Sequence, residues 1–149
     1  MKPERSLLLA FDTSVWIAWI EQKPEFLGLV RPLFEELGAG RLGAVTSVLG
    51  LLEILTGAFC RGDDHLARRT EEALTHMDGS TLIPVTPAVA RVAARLRAAH
   101  GLRTPDAVHV ATAILADAAA FVTMDRRLAR VTEIPVRVLR PAAPKRPRR

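Results

Sequence analysis

Residues 102–127, LRTPDAVHVATAILADAAAFVTMDRR, decide the fold. Thr104 is a favoured N-cap, and Pro105 suits the first helical position because its missing N–H would be unpaired there anyway. A helix therefore opens here with Asp106 in its first turn. It feeds directly into the apolar run 119–124, which reads as a short buried strand ending on Asp125. A helix joined to a strand in this way is half of a βαβ unit, and in such sheets chemistry collects at the carboxyl ends of the strands. Asp125 occupies one such end.

Outward from this stretch, residues 7–11 form a second strand of the same kind, ending on Asp12, Thr13 and Ser14. The remaining chain alternates helical and extended patterns. Helices are predicted over 14–22, 25–37, 48–60, 65–77 and 87–99, and strands over 42–46, 81–86 and 136–139, with a helical turn at 126–130. Pro32 should kink or restart the second helix, and Ser47 caps the third. Alternation of this type argues for an α/β fold, a parallel sheet with helices on both faces. Proline cannot donate to a strand ladder, so the strands holding or bordering Pro84 and Pro135 belong at the edges. The strands ending on Asp12 and Asp125 then lie near the centre, and their carboxylates become neighbours.

The chain of 149 residues is one domain's worth, long enough to bury a core without disulfides. Its single cysteine, Cys60, belongs to no CxxC pair or His cluster, which argues against structural zinc and fits a reducing compartment. The N-terminal apolar run is too short for a signal peptide, and no stretch reaches the ~18 apolar residues of a membrane span. A cytoplasmic protein is the expectation. The net charge of +5 is misleading as a sign of nucleic-acid binding, because residues 140–149, RPAAPKRPRR, hold five basic side chains and no acidic ones. Residues 1–139 are neutral overall and form the expected folded domain. The Pro/Arg-rich tail cannot bury a core and is expected to be disordered.

Glu53 is the only charge in the helix VLGLLEILTGAFC. At ~100° per residue, Val48, Leu51, Leu52, Ile54, Leu55 and Phe59 fall on the far side, while Gly50 and Gly57 share the face of Glu53. Two glycines flanking one acid predict close approach by another element or by a ligand. A buried carboxylate must be paired, protonated or bound to a cation. Each acid also has a plainer role: Asp12 and Asp125 as caps, Asp106 as a complement to the helix dipole, Glu53 as a surface residue. As a set, two strand ends, one helix start and one otherwise uncharged helix face are better explained by a shared cation. Carboxylates without His or Cys favour Mg²⁺ or Mn²⁺ over zinc, and such a cluster suits attack of water on a phosphodiester. Spacing leaves open whether one ion binds or two. Thr13, Ser14 and Thr123 are candidates to hydrogen-bond a ligand acid or phosphate, and Arg103, Arg126 and Arg127 to hold a nucleic-acid backbone. His109, one turn beyond Asp106, reads more readily as a packed helix residue than as part of the site. Asp117 lies too far along the helix, at ~16 Å of rise, to join it. Trp16 and Trp19 read as core or interface residues.

The order of strand-Asp12-Thr13-Ser14, helical Glu53, Thr-Pro-Asp106-Ala-Val-His and Phe-Val-Thr-Met-Asp125 resembles the PIN-domain nucleases, most closely the toxins of VapBC-type toxin–antitoxin pairs. The resemblance spans residues 7–139. It implies a three-layer fold around a five-stranded, mostly parallel sheet, and Mg²⁺-dependent (or Mn²⁺-dependent) endonucleolytic cleavage of RNA. By the same resemblance Asp12, Glu53, Asp106 and Asp125 are the catalytic acids. Asp12 and Asp106 ligate the metal directly, Glu53 and Asp125 directly or through water, and Thr123 matches the family's hydroxyl before the last acid. A homodimer inhibited by a cognate antitoxin is also implied. Met124 departs from the small polar residue common before that acid, and the basic tail extends past the usual end. The alternative within this fold is a catalytically inactive module that binds RNA or protein. A phosphoacceptor receiver domain also groups acids at strand ends, but it needs a lysine at a late strand end, and the lysines here are Lys2, Lys23 and Lys145.

Overall fold

The architecture is that of a computed structural model in which residues 6–141 and 147–148 are described; most of the Pro/Arg-rich tail lies outside them. Five strands, β1 (Leu7–Phe11), β2 (Leu42–Ser47), β3 (Ser80–Ile83), β4 (Ala120–Thr123) and β5 (Val136–Val138), form one sheet in the order β3-β2-β1-β4-β5. Every pairing is parallel. The expectation of a mostly parallel sheet thus becomes an all-parallel one, with the two proline-bordered strands at the edges and β1 beside β4.

The crossovers are the helices α1 (Thr13–Ile20), α2 (Pro24–Gly38), α3 (Val48–Cys60), α4 (Asp64–His76), α5 (Pro87–His100) and α6 (Thr104–Leu115). A short 3-10 helix, Arg126–Arg130, follows β4. Side chains alternate across the strands, so two cores form. Leu9, Phe11, Ala44 and Val122 pack with α1, α2, α3 and α4 on one face, around the fully buried Trp16. Ala10, Val45 and Phe121 pack with α5 and α6 on the other. The result is a helix–sheet–helix sandwich. No described helix is long and apolar enough to cross a membrane.

Several local expectations change. Arg103, not Thr104, is the N-cap of α6: the Arg103 carbonyl accepts from the Ala107 amide at 3.0 Å, which draws Thr104 into the first turn. Pro32 does not restart α2, which runs through it as one helix. β3 ends at Ile83, one residue before Pro84, because proline has no N–H to continue the ladder.

α3 packs by its small residues. Its buried line is Gly50, Ile54 and Ala58, while Leu52 is 58% and Phe59 60% exposed. Small residues let the helix backbone lie close against its neighbours, which turns the large apolar side chains outward. With Val48, Leu51, Leu55 and Val85 they line a groove of about 520 Å³. Gly50 makes the predicted close approach, but Gly57 faces open space.

Candidate active site

β1 and β4 are parallel neighbours, with Phe11 in register with Val122, and each delivers an acid just past its carboxyl end. The Asp12 amide donates to the Val122 carbonyl at 2.9 Å, so the backbone fixes Asp12 before its side chain does anything. Its Oδ1 accepts from the Thr13 amide at 2.8 Å, capping α1. Its Oδ2 accepts from Thr123 Oγ1 at 2.6 Å. Thr123 in turn accepts from the Asp125 amide at 3.0 Å, which ties the two strand ends together through one hydroxyl. Ser14 Oγ accepts from the Met124 amide at 3.2 Å and holds the start of α1 against the end of β4.

Asp12 is only 8% exposed. No Lys, Arg or His nitrogen among the described residues lies within ion-pair distance of it. Burial therefore pushes its carboxyl above the ordinary aspartate range; the Thr123 hydroxyl, the nearby His109 and the Thr13 amide pull back, and the charge of Asp106 pushes the same way as burial. Asp106 stands in the first turn of α6 and pairs with Arg103 Nε at 3.2 Å. Asp125 is gripped by Arg127, whose Nε and Nη2 donate to its carboxylate at 3.0 and 2.8 Å. That guanidinium holds Asp125 below the usual carboxylate range. Asp125 Oδ1 also accepts from the Arg127 amide at 3.0 Å, so the capping role exists as well.

Glu53 reaches from α3 toward α6, where its Oε1 lies 2.5 Å from His109 Nε2. It is partly exposed rather than buried, and its partner is an imidazole. His109, 3% exposed, also lies 3.3 Å from Thr13 Oγ1. His109 is packed, as its place in the helix suggests, and it also meets Glu53; it stands three residues after Asp106 and so shares its helix face. Arg103, which pairs with Asp106, and Arg126, which follows Asp125 in the chain, are exposed. Arg126 helps line a shallow pocket with Phe26, Met124 and Arg140. Asp117 lies beyond α6 in a left-handed turn, φ 56°, away from the acids.

Among the described residues, no three His, Cys, Asp or Glu side chains are gathered as a ready set of metal ligands. Three of the four acids are turned onto Arg103, Arg127 and His109. The donor chemistry nevertheless fits a hard divalent cation. A buried carboxylate held only by hydrogen bonds, with the charge of a second acid opposing its ionisation, is relieved by a cation.

The sequence pattern of the PIN domain family matches residues 9–134. No curated protein sequence matches the chain. Among solved structures, the fold is similar to VapBC2 from Rickettsia felis bound to a DNA fragment from its promoter, with a TM-score of 0.69 at 14% identity over 89% of this chain and 98% of that one. It is similar to DNA-bound VapBC from Salmonella typhimurium, with a TM-score of 0.67 at 20% identity over 89% and 98%. A toxin–antitoxin complex from Klebsiella pneumoniae gives 0.64 at 22% identity over 85% and 94%. At these identities the likeness is one of fold. With the family pattern running from the middle of β1 to the approach of β5, this chain belongs to the PIN domain family.

Proposed function

We propose that the protein is a divalent-metal-dependent endoribonuclease and the toxin of a toxin–antitoxin pair. The observation that carries this reading is Asp12: a buried carboxylate at the carboxyl end of a central strand, without a cationic contact and under repulsion from Asp106. Membership of a family whose members are generally nucleases supports it.

In this reading Asp12, Asp106 and Asp125 hold Mg²⁺ or Mn²⁺, and Glu53 joins them directly or through a bound water. Such an ion supplies a Lewis acid that makes water a better nucleophile and offsets charge developing on the scissile phosphodiester. The chain's own residues do the rest. Thr123 keeps Asp12 Oδ2 aimed by donating to it. Glu53, whose Oε1 is engaged by His109, offers Oε2 to a proton of the attacking water. The exposed Arg103 and Arg126 bind the RNA backbone. Because residues 1–139 carry no net charge, local arginines grip the substrate rather than a broad basic surface. The partners are a cognate antitoxin and a second copy of this chain. The Klebsiella pneumoniae structure is a toxin–antitoxin complex, which supports the first of these.

One observation favours a second reading, a PIN-fold binding module without catalysis: the acids are not gathered as a ready ligand set. Cleavage of a mixed RNA pool by purified, antitoxin-free protein in Mg²⁺, Mn²⁺ or EDTA separates the two. Cleavage with metal and none in EDTA is expected of the nuclease. A folded protein that neither cleaves nor takes up Mn²⁺ would favour the binding module.

A further inference from the structure

His109 sits at the junction of α3, α6 and the start of α1, and the chemistry above uses it only as the partner of Glu53 Oε1. It is 3% exposed, and its Nε2 faces Glu53 Oε1 at 2.5 Å and Thr13 Oγ1 at 3.3 Å. An ionised carboxylate only accepts, so Nε2 must carry the proton and donate it toward Glu53. The ring lies beside Gly50 of α3. A Cβ built there would stand 3.6 Å from His109 Cε1, 3.4 Å from Thr13 Oγ1 and 3.1 Å from the Thr46 methyl. Gly50 lies three residues before Glu53, so the bare stretch of α3 and the acid belong to the same helix face. A ring that is 3% exposed and held between the Glu53 carboxylate and the Thr13 hydroxyl is fixed in direction by both.

We infer that His109 is a positioning residue of the acidic site: Nε2–H fixes the Glu53 carboxylate and steadies the Thr13 side chain beside Asp12, setting the α3 acid toward the cation bound by the strand-end acids. This rests on the nuclease reading. It differs from a packing role in one respect. A packing residue contributes to stability whatever stands at position 53, whereas a positioning residue acts through Glu53.

The test is Mn²⁺ titration of the purified full chain, without RNA, comparing wild type with Glu53→Gln, His109→Ala, His109→Gln, the double variant Glu53→Gln/His109→Ala, and Asp12→Asn. Partners that orient metal ligands are worth roughly 10–100-fold in affinity. Glu53→Gln and His109→Ala should each weaken Mn²⁺ binding by about tenfold at the lower end of that range. The double variant should bind no more weakly than the worse single one, and His109→Gln, whose amide keeps a donor, should recover most of the loss. Additive losses would overturn the inference, as would Mn²⁺ affinity unchanged in Glu53→Gln or in folded His109→Ala. If His109→Ala does not fold, the comparison of His109→Gln with Glu53→Gln decides: a Gln at position 109 that binds Mn²⁺ as weakly as Glu53→Gln would overturn it. Asp12→Asn separates the two levels. Its loss of binding keeps the nuclease reading whatever His109 does, while wild-type affinity in that variant would remove the reading beneath the inference.

Discussion

Thr123 Oγ1 donates to Asp12 Oδ2 at 2.6 Å across the β1–β4 pair. Thr123 is fully buried and Asp12 nearly so, and the same hydroxyl accepts from the Asp125 amide at 3.0 Å. One side chain thus fixes the separation of two strand ends and the direction of the carboxylate between them.

Thr123→Val keeps the shape and removes both bonds. It leaves a buried carboxylate oxygen and a backbone N–H without partners, a loss of about 1–3 kcal/mol. Thermal melting should show a drop of several degrees at neutral pH, with Thr123→Ser retaining most of the stability. Equal melting of Thr123→Val and wild type would mean the bond contributes nothing to the fold.

Asp12 gives a pH signature. Its carboxyl is raised above the ordinary value of 3.8, chiefly by burial. As pH rises past that ordinary value, the unfolded chain releases the proton while the native chain still holds it. Native stability therefore falls through this window, and the penalty is complete above Asp12's native value. Asp12→Asn carries no such penalty. In EDTA, the melting temperature of Asp12→Asn relative to wild type should be more favourable at pH 7 than at pH 4, the gap closing as pH falls below Asp12's native value. A gap that stays constant or widens in the acid direction would contradict the burial argument.

Gly50 and Gly57 share one face of α3 but predict opposite responses. A Cβ at Gly57 meets nothing within 4 Å, so Gly57→Ala should stabilise by up to about 1 kcal/mol through helix propensity. At Gly50 it would meet the Thr46 methyl at 3.1 Å. Thr46 cannot turn away freely, because its Oγ1 accepts from Trp16 Nε1 at 2.8 Å. Gly50→Ala should therefore lower the melting temperature while Gly57→Ala raises it.

Arg127 occupies the Asp125 carboxylate with two side-chain donors. A cation that uses Asp125 must displace them. Arg127→Gln should tighten Mn²⁺ binding in calorimetry while changing stability by under about 1 kcal/mol, as expected for an exposed ion pair. Weaker Mn²⁺ binding in the variant would argue that Asp125 is not a ligand.

The fold was legible because it rests on local signals. Asp12 closes an apolar strand, Pro105 opens a helix, and Pro84 and Pro135 exclude their strands from the centre, which together bring Asp12 and Asp125 side by side. The partners of the acids were less legible. That Arg127 holds Asp125 follows from side-chain reach over two residues, and that Glu53 meets His109 spans 56 positions of sequence. The facing of α3 was hidden for a different reason. Hydrophobicity alone points Leu52 and Phe59 inward, whereas the packing follows the small residues Gly50 and Ala58, which allow the closest approach. Thr104 read as a cap because its side chain suits one, but the chain enters the helix one residue earlier.

The most direct test of the central claim is RNA cleavage by wild type and Asp106→Asn, side by side, in Mg²⁺ and in EDTA, with folding of both verified by circular dichroism. Asp106 sits near the surface of α6, so its replacement leaves the cores intact. The account predicts cleavage by wild type in Mg²⁺ alone and none by the folded variant. Undiminished cleavage by Asp106→Asn, or cleavage that persists in EDTA, would contradict an active site built on these acids.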